Sequence, residues 1–236
     1  MKIDLNCDVG EGLDNEHLIM PYISSCNISC GAHAGSVETI DKVIALALKH
    51  KVHIGAHPSF PDRKNFGRKV VEISETELQQ NLEAQLLLFK ERTVALNAEV
   101  HHVKPHGALY NLIAVDEETA EVVVRAIQSV FDNVKLYVPF NSKIETVAQK
   151  HGIEIVYEAF ADRNYNEDLT LVSRSMPDAI ITNVEEVVLH VKRMAFESKV
   201  QTIQGTFKEI KAATFCVHGD NEKAIELLKE LGENFK

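Results

Sequence analysis
The sequence predicts an α/β barrel of about seven parallel strands alternating with helices, in a single domain over residues 1–236. Short runs rich in Val, Ile and Leu alternate with amphipathic helical stretches, which means parallel pairing through right-handed crossovers. Polar residues that a core would reject follow nearly every run. That distribution matches the C-terminal mouth of a barrel better than the single switch point of an open doubly wound sheet. At 236 residues and 45% apolar content the chain suits one barrel, and no linker, repeat or low-complexity tract divides it.

The predicted strands are residues 2–7, 24–30, 52–56, 99–104, 134–138, 153–157 and 213–217, each ending at turn or polar residues. Between them, Ser36 caps a helix carrying Val37, Ile40, Ile44 and Leu48. Ser74 with Glu77 forms a capping box ahead of Leu78, Leu82, Leu86 and Phe89, and Thr182 with Glu185 does the same ahead of Val184, Val188, Val191 and Ala195. Asp116, Asn141 and Asp220 are the expected N-caps of three further helices, the last two closing near Gly152 and Gly232.

Lys and Arg number 25 against 35 Asp and Glu, a net charge of −10 without a basic stripe, which argues against nucleic-acid binding and for a small molecule or protein partner. The polar start Met1-Lys2-Ile3-Asp4 and the shortness of the apolar runs predict no membrane segment and a cytoplasmic location. Cys7, Cys26, Cys30 and Cys216 are too few for a disulfide scaffold. Cys26 and Cys30 also lack the C-x-x-C spacing of structural zinc, so buried thiols are expected.

The chemistry-bearing residues stand where the strands end. Asp8 and Glu11 follow the first, His33 the second, His57 and Arg68 the third, and Lys104, His106, Tyr110 and Asn111 the fourth. Glu158, Asp162 and Arg163 follow the sixth and His218 the seventh, so a closed sheet would bring them to one cavity. One histidine alone would read as structural, but His33, His57, His106 and His218 at successive strand ends point to a shared polar pocket. His17, His50, His101, His102, His151 and His190 read as solvent-facing. Asp8, at the end of a buried strand, needs a partner: a metal, a cation or substrate. Asp4 and Asn6 share its side of the strand, lining either the site or an internal hydrogen-bond network. Lys104 serves either an anion at the mouth or an ion pair with Glu158 or Asp162, and Asp220 reads as a helix cap.

The chain contains no G-x-x-x-x-G-K-[ST] loop, no G-x-S-x-G elbow and no H-E-x-x-H. The segments Asp4-Leu5-Asn6-Cys7-Asp8-Val9-Gly10-Glu11, Asn27-Ile28-Ser29-Cys30-Gly31-Ala32-His33-Ala34-Gly35, Ile54-Gly55-Ala56-His57-Pro58-Ser59-Phe60-Pro61-Asp62 and Phe66-Gly67-Arg68 resemble the LamB/YcsF family. So do Val103-Lys104-Pro105-His106-Gly107-Ala108-Leu109-Tyr110-Asn111, Glu158-Ala159-Phe160-Ala161-Asp162-Arg163 and Cys216-Val217-His218-Gly219-Asp220, and the match runs in order from residue 4 to about 230. The sequence departs from the family pattern at Ser36, where an aspartate is usual, at Asn65, at Lys69 and near Asp168-Leu169.

The resemblance implies a deformed (β/α) barrel of the glycoside hydrolase/deacetylase type. It also implies one subunit of an ATP-dependent 5-oxoprolinase, which opens 5-oxo-L-proline to L-glutamate with partner subunits B and C (PxpB and PxpC). ATP suits that chemistry, because a five-membered lactam is a resonance-stabilised amide whose carbonyl must be activated before water attacks. The expected catalytic residues are Asp8, His57, Lys104 and His106. The expected substrate-binding residues are Asn6, Glu11, Asn27, His33, Arg68, Tyr110, Asn111, Asp162, Arg163 and His218. ATP is expected at a site shared with or carried by the partners, and a divalent metal is open. Two other readings stand beside this one: a metal-dependent carbohydrate deacetylase drawing on Asp8, His33, His57 and His106, and a non-catalytic lactam-binding subunit.

Overall fold
A computed structural model describes residues 3–235. Lys2, where the first predicted strand opens, lies outside the described residues, as do Met1 and the closing Lys236 of the predicted domain. The chain order is β1 (Asp4–Val9), α1 (Glu16–Ile19), β2 (Ser25–Ser29), α2 (Val37–His50), β3 (His53–His57), α3 (Glu75–Ala95), β4 (Val100–Val103), α4 (Gly107–Val115), α5 (Glu117–Val130), β5 (Lys135–Pro139), α6 (Lys143–Lys150) and β6 (Ile155–Phe160). It continues with α7 (Val184–Glu197), β7 (Lys199–Gln201), β8 (Phe207–Glu209), β9 (Thr214–Cys216) and α8 (Ala224–Asn234). Strands β1 to β6 and β9 pair in parallel and close into a seven-stranded barrel, while β7 and β8 form a separate antiparallel pair. No described helix is long and apolar enough to cross a membrane.

All seven predicted barrel strands are present. Their apolar residues, such as Leu5, Ile28, Ile54 and Val103, join the core cluster formed with the helices. The alternate residues face inward and are polar. Asn6 donates to Thr214 (2.9 Å), Asn27 donates to Asn6 (2.8 Å), and His102 lies 2.6 Å from Asn27 while stacking on Tyr137 at 3.9 Å. A hydrogen-bonded polar layer therefore fills the barrel beneath its mouth. The register aligns Asp8 with Asn27 and Glu158 with Thr214, which fixes the layer above.

Several local expectations are corrected. His102 and His190 are buried, because His102 is an inward residue of the β4 run and His190 lies on the face of α7 that buries Val187, Val191 and Met194. Asn183, not Thr182, caps α7 by accepting from the Glu186 N–H, in keeping with asparagine's advantage over threonine as a cap. Ser142, not Asn141, caps α6. Asn141 takes the left-handed conformation that asparagine tolerates (φ 60°) and gives its N–H to Glu145. Asp220 caps no helix, since α8 starts only at Ala224 and the Asp220 carboxylate accepts from Arg68 and Arg174. Gly232 lies inside α8, whereas Gly152 (φ 73°) follows α6 as expected.

Candidate active site
The mouth of the barrel opens into a cavity of about 610 Å³, with Asp8, Glu11, His57, Lys104, His106 and Glu158 on its wall. Arg68, Tyr110, Asn111, Arg163 and His218 also line it. Asn6, Asn27, His33 and Asp162 do not line it. Asn27, His33 and Asp162 stand behind the lining residues as hydrogen-bond partners of Asp8, Glu11 and His218, and Asn6 lies one step deeper, bonded to Asn27.

Lys104 lies at the centre, immediately after β4. Its Nζ is 2.9 Å from Asp8 Oδ1 and 2.9 Å from Glu158 Oε1, and it donates to Cys216 Sγ at 3.1 Å. Only 2% of the residue is exposed. Burial opposes its charge, but Asp8, Cys216 and Glu158 outweigh burial and hold the ammonium well above its ordinary pKa. Of the two ion-pair partners considered from the sequence, Glu158 is the one present; Asp162 is engaged elsewhere. Asp8 also accepts from Asn27 Nδ2 at 2.7 Å and faces His57 Nε2 at 3.4 Å. Burial pushes the Asp8 carboxyl up, yet His57 and Lys104 prevail and keep it well below the usual carboxylate range.

A second group forms beside this triad. Glu11 Oε1 is 3.1 Å from His33 Nε2, 3.3 Å from His106 Nδ1 and 3.9 Å from His57 Nε2. The ligating atoms of these four residues all lie within 4.8 Å of one another, so they form a cluster able to hold a metal ion. Its carboxylate is Glu11; Asp8, in the pool read from the sequence, belongs instead to Lys104. Burial, then the Asp8 charge, pushes Glu11 up to about 7. Burial, then His57, pushes His33 down to about 2 and His106 well below its ordinary value.

The remaining polar residues shape the rim. Asp162 accepts from His218 Nδ1 at 2.8 Å and Asn221 Nδ2 at 3.0 Å, orienting the His218 ring. Arg163 donates to the carbonyls of Val172 (2.6 Å) and Ala179 (3.1 Å), so its guanidinium organises the segment whose residues 168–175 roof the cavity. Tyr110 is buried on α4 with its ring 5.9 Å from Lys104 Nζ, and Asn111 on the same helix is exposed. Cys216, Arg174 and Asp220 join the site without being expected there. Cys216 reads as a small hydrophobe, and Arg174 sits in a roof segment without periodicity.

The LamB/YcsF family model matches residues 3–236. A relative from Bacillus cytotoxicus, named as the A subunit of 5-oxoprolinase, is 39% identical, covering 100% of this chain and 96% of its own length. Another of that name from Shouchella clausii is 42% identical, covering 97% and 92%. The crystal structure of the lactam utilization protein from Thermus thermophilus superimposes with a TM-score of 0.91 at 36% identity, covering 99% of this chain and 95% of that one. With its barrel, its strand-end motifs and these relatives in agreement, the chain belongs to the LamB/YcsF family.

Proposed function
We propose that this chain, as one barrel domain, is the A subunit of an ATP-dependent 5-oxoprolinase and opens 5-oxo-L-proline to L-glutamate with partner subunits B and C. The observation that carries this reading is the buried Lys104 ammonium held between Asp8 and Glu158 at the floor of a cavity of ligand-binding size. Ring opening develops negative charge on the former lactam carbonyl, and a fixed, water-excluded ammonium stabilises it without reorganising. Asp8, ionised beside that ammonium, accepts the proton of the attacking water and returns it to the ring nitrogen as the C–N bond breaks, with His57 and His106 on the wall beside it. ATP activates the carbonyl at a site on, or shared with, the partners, in keeping with the lack of a phosphate-binding loop in this sequence.

The test measures glutamate formation and 5-oxoproline-dependent ATP hydrolysis with the partners present and omitted. The chain alone should show neither, and the three together both. Asp8→Asn should lower turnover about 100-fold or more. It should leave the melting temperature within a few degrees, because Lys104 keeps Glu158 as its partner. ATP-dependent turnover by the isolated chain, or normal turnover in Asp8→Asn, would overturn the assignment. The deacetylase reading is favoured by the histidine cluster and predicts metal-dependent amide hydrolysis without ATP; ligand binding with no turnover in any combination would instead mark a lactam-binding subunit.

A further inference from the structure
Two backbone carbonyls fix where the protons of the cluster histidines lie. His57 Nδ1 is 2.6 Å from the Lys104 carbonyl oxygen and His106 Nε2 is 2.9 Å from that of Phe66. A carbonyl oxygen only accepts, so each of these nitrogens carries the hydrogen. The other two nitrogens, His57 Nε2 and His106 Nδ1, are then bare lone pairs, and they face each other at 3.0 Å. Glu11 Oε1 joins them at 3.3 Å from His106 and 3.9 Å from His57. With both imidazoles neutral and Glu11 ionised, three electron-rich atoms converge with no hydrogen between them, beside Asp8 and Glu158, which already share the ammonium of Lys104. Such an arrangement calls for a cation.

His33 has a different part. Its Nδ1 is buried with no hydrogen-bond partner among the described residues, while its Nε2 lies 3.1 Å from Glu11 Oε1. An unmet lone pair is tolerated better than an unmet N–H, so Nε2 carries the hydrogen and donates to Glu11. His33 therefore aims the carboxylate and is not itself a ligand. We propose that His57 Nε2, His106 Nδ1 and Glu11 Oε1 hold a transition-metal ion of the Zn²⁺ class, with His33 as a positioning residue and one coordination position open to the cavity. The spacing suits it: bonds of about 2.05 Å in a tetrahedral site give edges of about 3.3 Å. The three edges here are 3.0, 3.3 and 3.9 Å. Imidazole N–H groups tied to backbone carbonyls are the usual outer support of such ligands. This binding site does not depend on the oxoprolinase assignment.

The experiment titrates the metal-free full-length chain with Co²⁺ and follows its visible absorption, then displaces it with Zn²⁺. The expected result is about one ion per chain, with the intense bands of a tetrahedral-like site that Zn²⁺ bleaches. His106→Gln should abolish the bands, and Glu11→Gln should weaken binding and shift them. His33→Asn should weaken affinity about 10–100-fold while leaving the band positions unchanged. A folded wild-type chain that binds neither ion stoichiometrically would overturn the site in favour of a proton shared by His57 and His106. Binding unaffected by His106→Gln would overturn it as well, and band shifts in His33→Asn would refute the role given to His33. Because the wild-type titration alone decides whether the ion binds, a variant that fails to fold does not protect the proposal, and no step of the assay measures oxoprolinase activity.

Discussion

Lys104 shows how a single residue can be both structural and chemical. Its ammonium is the cation for two buried carboxylates, so Lys104→Met leaves Asp8 and Glu158 repelling each other without water, and stability should fall by about 3–5 kcal/mol. Lys104→Arg keeps the charge but brings a planar fork into a site closed by the Phe160 ring 5.1 Å from Nζ. Overpacking of about 1–3 kcal/mol and a displaced charge should keep its turnover, measured with saturating partners, close to that of Lys104→Met. Near-normal turnover in Lys104→Arg, set against urea unfolding of both variants, would show that charge alone suffices. Lys104 was legible because Pro105 and Gly107 punctuate a strand end. Cys216 was not, because nothing about a thiol in an apolar run signals that its sulfur will meet an ammonium.

At the level of elements, the strand order and the convergence of strand ends were legible, whereas sequence patterning places the ends of four strands, β1, β3, β5 and β6, too early. β1 runs to Val9, β3 to His57 and β6 to Phe160, so Asp8, His57 and Glu158 lie within strands, not after them. At these three residues the error has one physical source: a polar barrel interior makes inward positions look like the turn residues that end a strand. The same interior sets a sharp requirement at Gly55 in β3, where a Cβ would lie 2.1 Å from the His102 ring nitrogen that meets Asn27. Gly55→Ala should therefore cost about 1–3 kcal/mol in denaturant unfolding. Gly232 gives the opposite sign. In the sequence it looks like a helix terminator, but it sits within α8 with nothing within 4 Å of the place an added methyl would take, so Gly232→Ala should stabilise by about 0.5–1 kcal/mol. Equal effects of the two substitutions would contradict the packing described for both elements.

For the molecule as a whole, burying neutral histidines links folding to pH. His190, inside the α7 face beside Tyr165, looks like a surface residue in the sequence, because a helical histidine flanked by Leu189 and Val191 carries no sign of which face will be covered. Burial pushes it from the ordinary 6.5 down to about 4. Between those values the unfolded chain binds a proton at this site that the folded chain does not, so acidification from about pH 6.5 towards pH 4 favours unfolding, and below the folded value the loss levels off. A shift of that size corresponds to about 3 kcal/mol across the window. His190→Leu, similar in volume and unable to charge, should remove that part of the acid sensitivity while leaving every carboxylate and the other histidines in place. The measurement is urea unfolding of both proteins from pH 7 to pH 4 with a chelator present, so that no metal at the mouth contributes. The variant's stability should fall less steeply than the wild type's, the two curves diverging mainly below pH 6.5. Parallel curves would mean that His190 reaches water when protonated, and that the buried face of α7 opens far more easily than its packing against the core implies.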